Sequence, residues 1–294
     1  MMKLTKRLSV AVCVLILTGS IFGLTTIDAT RLKKSRSQPK AATPAASVLA
    51  DIFKPTCTSP SFPNPPPKNP LGIDAQCGLS GSGSGAEGQQ DTVKNNFCAT
   101  GTPKPMTIAD LTSLQAKVEK KKRINFGDEQ SGTRKKGPTT NRAPLQKLGE
   151  GQLVTLKAYV LIARQEGGES VNCKAAVPSE ALFHDIHISL VASKDVTDEC
   201  SGVVAEMSPH HRPDDWTHTN VDRVSQAKLL VRVTGQLYFD SSHFPCSNGQ
   251  GVRSNPRRIS LWEIHPIYKF EVCTADCDGA GQWLALDEWA KQAK

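Results

Sequence analysis

The chain lacks the short motifs that mark common nucleophile and nucleotide enzymes. It has no GxSxG, no phosphate-cradling GxxxxGK[ST], no GxGxxG after a strand pattern and no HExxH. Its one glycine cluster, GSGSG at 81–85, lies in a Ser/Gly-rich stretch and reads as linker, not phosphate loop. Close cysteine pairs are scarce. Only Cys273 and Cys277 are neighbours, spaced CxxxC, and with no second close pair they do not spell a four-ligand zinc site. Beyond Ala29 no apolar run reaches the length of about 20 residues that spans a bilayer.

What is present begins with an export pattern. Lys3, Lys6 and Arg7 precede the uncharged run Leu8–Leu17, and small residues follow at Thr18, Gly19, Ser20, Gly23 and Ala29. This predicts a signal peptide over residues 1–29, with a retained N-terminal anchor as the alternative. No Cys closely follows the run, so a lipid anchor is not indicated. The nine cysteines agree with export: Cys13 leaves with the signal, and Cys57, Cys77, Cys98, Cys173, Cys200, Cys246, Cys273 and Cys277 remain. An even set is expected of paired cysteines in an oxidising compartment, which predicts an extracytoplasmic location, periplasmic or secreted, and argues against a catalytic thiol. Three of the eight precede the C-terminal half, so full pairing requires at least one bridge from the N-terminal arm into it.

The net charge of +8 is unevenly placed. Lys117–Glu150 carries 10 basic and 4 acidic residues, with runs at Lys120–Arg123 and Arg134–Lys136, whereas Gly151–Lys294 carries 14 basic and 18 acidic. Cutting after Ala29 would lower the whole-chain charge to +6. A phosphate-tracking surface puts its basic residues on the folded face. The basic segment therefore reads first as a solvated linker. Its functional alternative is a strap for an acidic surface, either this protein's own, an envelope component or an anionic polymer. Nucleic acid is the weaker partner reading.

Five stretches follow along the chain. Residues 1–29 are the signal. Residues 30–90 are a Pro-, Gly- and Ser-rich tether too poor in apolar residues to offset its ordering entropy. Residues 91–150 hold short helices and the basic linker: a helix over Thr92–Phe97, and another over Ile108–Glu119 with a Thr107/Asp110 capping box and a stripe of Ile108, Leu111, Leu114 and Val118. Residues 151–273 alternate in strand fashion. Val154, Leu156, Ala158, Val160 and Ile162 share one face of a long first strand. Glu166–Glu169 reads as a turn, 171–175 as a short second strand, and 184–191 as a third that continues at Val203–Met207. A helix capped at Thr219/Asp222 follows, then strands over Leu229–Asp240 and Ile259–Val272. Residues 274–294 form a tail that packs on the barrel, with Trp283, Leu286 and Trp289 on one side of a helical turn. The predicted fold is mainly β, a five-stranded OB-like barrel with one helix between strands 3 and 4. An open sandwich with one covering helix is the alternative.

The segments DIH (185–187), VRVTGQLYFD followed by His243, and WEIHPI (262–267) resemble a group of uncharacterised secreted bacterial proteins with an OB-like domain, over roughly Leu148–Val272; KNNFCA (94–99) resembles them more weakly. The resemblance implies fold and export, and no reaction. At greater distance the layout resembles the OB barrel of secreted thermonucleases, but that family's paired arginines and metal-binding aspartates cannot be placed position by position.

Acid–imidazole pairs carry the candidate chemistry. Asp185 and His187 share a strand face, as do Glu263 and His265; His243 lies three residues after Asp240, and Glu206 precedes His210 and His211. Converged, Asp185, His187, Asp240, His243, Glu263 and His265 would bind a divalent metal such as zinc or manganese. Alternatively His187, His265 and Glu263 would act in acid–base catalysis. The competing reading is a structural network in which the pairs satisfy one another. For single-stranded nucleic acid the candidates are Tyr159, Tyr238, Trp262, Tyr268 and Phe270, beside Arg232 and Arg253–Arg258. These features leave three functions open: an exported binding module, a metal-assisted hydrolase of phosphodiesters, and a structural envelope protein.

Overall fold

The computed structural model describes residues 78–121, 142–167, 169–173, 183–248, 251–253 and 255–292. The signal segment, the Pro-rich arm through residue 77 and the basic run Arg134–Lys136 lie outside them.

Alternation of apolar side chains makes strands, and these strands close. The long strand β2 (Leu153–Gln165) follows the three-residue β1 (Lys104–Met106) and the helices α1 (Gly85–Lys94), α2 (Ile108–Glu119) and α3 (Ala143–Gln146). After it come β3 (Ile186–Val191), β4 (Val203–Met207), α4 (His218–Gln226), β5 (Leu230–Phe239), β6 (Trp262–Ala275), β7 (Gln282–Ala285) and α5 (Leu286–Gln292). Strand β2 pairs antiparallel with both β3 and β5, β3 with β4, β5 with β6, and β4 runs parallel to β6 through Ala205 and Ile264. The circuit β2-β3-β4-β6-β5-β2 is a closed five-stranded barrel, and β1 and β7 extend its sheet at β2 and β6.

Period-two alternation sends Val154, Leu156, Ala158, Ile186, Ile188, Leu190, Val231, Val233, Leu237, Trp262 and Ile264 into one hydrophobic core. In β2 the alternation breaks at a bulge between Val160 and Ile162, so Ala163, not Ile162, is the next core residue. Gly235 is required where β5 crosses β6: a Cβ there would lie 2.3 Å from the Pro266 carbonyl oxygen. Helix α2 begins at a complete Thr107/Asp110 capping box and buries Leu111, Leu114 and Val118 in the core. Val221, Val224, Leu286 and Trp289 cover it from α4 and α5.

Several elements differ from the sequence reading. Gly85–Gly88, read as linker, opens α1. Tertiary anchors hold that helix in place of propensity: Gln90 donates to Ser242, Asn95 to the Leu79 carbonyl, and Val93 packs on Tyr238. Residues 171–173 are turn, and Val203–Met207 is a barrel strand in its own right, not a continuation of the third. Thr217, not Thr219, caps α4, because Asp222 is drawn away to accept from the Ala163 amide of β2. Trp283 lies in strand β7, so only Leu286 and Trp289 of the expected trio sit on a helix.

Disulfides join Cys200 to Cys246 and Cys273 to Cys277, and Cys98 and Cys173 are disulfide-bonded as well. With the first four paired among themselves, the partner of Cys173 comes from the chain before the barrel. No helix among the described residues is long and apolar enough to cross a membrane.

Candidate functional site

The same period of two that fills the core sends a second set of side chains to the other face of β3, β4, β5 and β6. That set is polar: His187 on β3, Glu206 on β4, Gln236 and Tyr238 on β5 with Asp240 just beyond it, and Glu263 and His265 on β6. An outward face would normally be solvated. This one is roofed, so Asp185, His187, Glu206, Asp240, Glu263 and His265 are each no more than 1% exposed. The roof consists of α1, residues 166–167 and 169–173, and residues 208–212. Gln236 donates to the Val93 carbonyl, Ser208 to Asn95, and Lys94 descends from the end of α1 into the acidic layer.

His187 and Glu206 are cross-strand partners in the β3–β4 register, with Nε2 3.2 Å from Oε1. Asp185 Oδ2 is 3.4 Å and Glu169 Oε1 3.6 Å from the same nitrogen, and Glu166 is 3.7 Å from Nδ1. The other oxygen of Glu206 lies 3.1 Å from His265 Nδ1, which Glu263 Oε1 approaches to 3.6 Å. Arg258 donates to Glu263 Oε2 at 2.8 Å and lies 3.4 Å from Asp240 Oδ2; His243 Nδ1 is 2.5 Å from that oxygen. His243 Nε2 returns to Glu169 at 3.6 Å, and Lys94 Nζ sits 3.3 Å from Glu169 and 3.6 Å from Glu206. All six acid and imidazole residues singled out in the sequence therefore meet in one layer.

They do not meet as equals. Ligand atoms from Glu169, Asp185, His187 and Glu206 all lie within 4.8 Å of one another, as do those of Glu206, Glu263 and His265. Asp240 and His243 belong to neither group; they are engaged with each other and Arg258. Sequence reasoning missed Glu166 and Arg212 as well as three central contributors. Glu169 sits in a turn, where no periodicity points anywhere. Lys94 follows a Ser/Gly-rich stretch, and Arg258 was counted with the basic loop RSNPRR. A signal for Glu206 did exist, since it is the one acid in the apolar strand VVAEM. It serves His187 and His265 rather than the nearby His211, which packs against Phe97.

The layer is polar but poorly hydrogen-bonded. Both oxygens of Asp185 and Glu206, both ring nitrogens of His187 and His265, and Glu263 Oε1 are buried with no hydrogen-bond partner. Buried polar atoms are ordinarily satisfied, and each orphan costs about 1–3 kcal/mol. Charge is also unbalanced. Six carboxylates (Glu166, Glu169, Asp185, Glu206, Asp240, Glu263) face three fixed cations (Lys94, Arg212, Arg258), so bound protons must offset part of the difference.

The acids respond unequally to this field. Burial alone would raise the Glu206 carboxyl, but His187, Lys94 and His265 hold it down at about 2. Burial pushes Glu263 well above the usual carboxylate range, with Glu206 and Asp240 adding to it. Burial would depress His187, yet Glu206, Glu169 and Asp185 raise it well above the imidazole range. Burial dominates at His265 and lowers it to about 4, leaving a neutral ring. The layer thus attracts positive charge, as protons or as a metal. Solvent reaches it from one side, where the side chains of Glu169 and His243 are 23% and 17% exposed.

Most of the aromatic and basic residues considered for nucleic acid are otherwise employed, while Arg253 is exposed and Tyr159 half-buried. Tyr238, Trp262, Tyr268 and Phe270 are buried. Arg258 turns into the acid layer, and Arg257 pairs with Asp198 and Glu199. A cavity of about 620 Å³ lies along Leu153, Thr155, Arg232, Thr234 and Tyr268, but Arg232 donates twice to Glu271, at 2.7 and 2.8 Å.

No protein-family model, no curated protein and no solved structure matches this chain.

Proposed function

We propose that this chain is an exported, disulfide-braced OB-like module that binds a divalent cation. Three things support the OB-like reading: the strand order around the barrel, the parallel pairing of its third and fifth strands, and the helix between its third and fourth. The paired cysteines support an extracytoplasmic location.

One observation carries the metal reading. Glu169, Asp185, His187 and Glu206 bring four ligand atoms together in a buried layer, and the oxygens of Asp185 and Glu206 and the ring nitrogens of His187 have no well-directed hydrogen bond. Ligands about 2.0–2.2 Å from a tetrahedral zinc ion lie roughly 3.3–3.6 Å apart. The contacts around His187 Nε2, at 3.2, 3.4 and 3.6 Å, have that spacing. Three carboxylates and one imidazole suit zinc or manganese. A structural network would pair these groups more tightly than contacts of 3.2–3.7 Å. Elemental analysis of the full chain dialysed against zinc or manganese, then against metal-free buffer, tests the reading. Retained metal supports it, and a metal-free protein overturns it in favour of a structural envelope role.

The exposure of Glu169 and His243 favours a second reading, a metal-assisted hydrolase of phosphodiesters, since a substrate oxygen would reach the site from that side. Cleavage of plasmid or single-stranded DNA that requires metal and disappears in His187→Ala and His265→Ala would establish it. Unchanged DNA would leave the binding module.

A further inference from the structure

The two groups of ligand atoms share one residue, Glu206. Its Oε1 faces His187 Nε2 at 3.2 Å, and its Oε2 faces His265 Nδ1 at 3.1 Å. One carboxylate addresses two imidazoles on two neighbouring strands with different oxygens. We propose that the layer holds two divalent cations side by side, bridged by Glu206; this rests on the metal-binding reading above. The first position takes Glu169, Asp185, His187 and Glu206 Oε1. The second takes Glu206 Oε2, Glu263 and His265.

Two observations carry the second position. Both nitrogens of His265 and Oε1 of Glu263 are fully buried without a hydrogen bond, so ligand atoms stand unclaimed there as well as at Asp185. Arg258 grips Glu263 by Oε2 at 2.8 Å, which fixes the carboxylate with Oε1 turned to His265. Such outer partners orient metal ligands. Two-metal centres built on shared carboxylates hold their ions about 3.5–4 Å apart, a spacing that one bridging glutamate spans. Lys94 Nζ, 3.6 Å from Oε2, must remain on its nearer partner Glu169 when the second ion enters. The second position is therefore the weaker, and binding occurs in two steps.

The experiment is a titration of the metal-free full chain with manganese, followed by electron paramagnetic resonance and by metal-to-protein ratio after dialysis. Two ions per chain and an exchange-coupled multiline spectrum are expected. Glu263→Gln and His265→Gln should each reduce the ratio to one and abolish the coupling; Asp185→Asn should do the same from the other side. Glu206→Gln should weaken both steps by at least about 10-fold, a loss that even an outer-shell partner can cause. One ion per chain with an uncoupled spectrum overturns the bridge while leaving the metal reading intact. No bound ion overturns both. The wild-type spectrum decides the matter even where a variant fails to fold.

Discussion

His187 Nε2 and Glu206 Oε1 face each other across β3 and β4, 3.2 Å apart and fully buried. A cation between such groups binds the folded chain and not the unfolded one, so it must stabilise the fold. At a free concentration of 100 times the dissociation constant the gain is about 2.7 kcal/mol. For a barrel of this size that corresponds to a rise in melting temperature of roughly 5–10 °C. Differential scanning fluorimetry with zinc, then with excess chelator, should show the rise and its reversal. His187→Ala should show neither.

Much of this arrangement was legible because strands write their two faces into the sequence. The alternation of β2 and β5 named the core, and spacings of two placed Asp185 with His187 and Glu263 with His265. The reading slipped where tertiary contacts overrule local pattern. A bulge turned Ile162 out of register, and α1 forms in a Gly/Ser-rich stretch because Gln90, Val93 and Asn95 are anchored elsewhere. Glu169 was illegible for a different reason. A turn residue has no face until the turn is folded, and Glu169 earns its place only by reaching His187 and His243 from another segment.

Lys94 is the fixed cation that lies between Glu169 and Glu206, 3.3 and 3.6 Å from them. Burial works against its charge, but Glu206 and Glu169 overcome it and hold the ammonium well above its usual range. Lys94→Ala removes that charge and leaves the carboxylates uncompensated, at a cost of about 3–5 kcal/mol in metal-free protein. Zinc should restore most of the loss, because the ion supplies the missing charge. Urea unfolding of wild type and variant, with and without zinc, measures both halves. A destabilisation that zinc leaves unchanged would refute the idea that the ammonium and the metal balance the same acids.

Asp91, buried on α1, supplies a pH test away from the strands. Burial pushes its carboxyl up to about 7, against the pull of Lys94 and Ser170, and Oδ2 has no hydrogen-bond partner. The unfolded chain releases this proton near 3.8. Between those values the folded protein holds a proton that the unfolded one lacks, so stability from this group falls as pH rises through the window. Asp91→Asn should therefore gain on wild type as pH rises from 5 to 8. Urea unfolding at both pH values reads the difference, and parallel losses at the two would sink the assignment.

The two fully described disulfides should differ in worth because they close loops of different length. Cys200–Cys246 spans 46 residues, tying the turn before β4 to the turn after β5. Cys273–Cys277 spans 4 and closes only the hairpin between β6 and β7. Loop-closure entropy assigns the first about 4 kcal/mol and the second about 2 kcal/mol. The longer bridge also fixes Glu199, whose carboxylate accepts from Ser189 of β3, so its loss would loosen the strand that carries His187. Cys200→Ser with Cys246→Ser should lower stability by about twice as much as Cys273→Ser with Cys277→Ser, and should alone weaken zinc binding. Urea unfolding and a zinc titration of both double variants check this. Equal losses would mean that strain or residual unfolded structure, rather than loop length, governs these bridges.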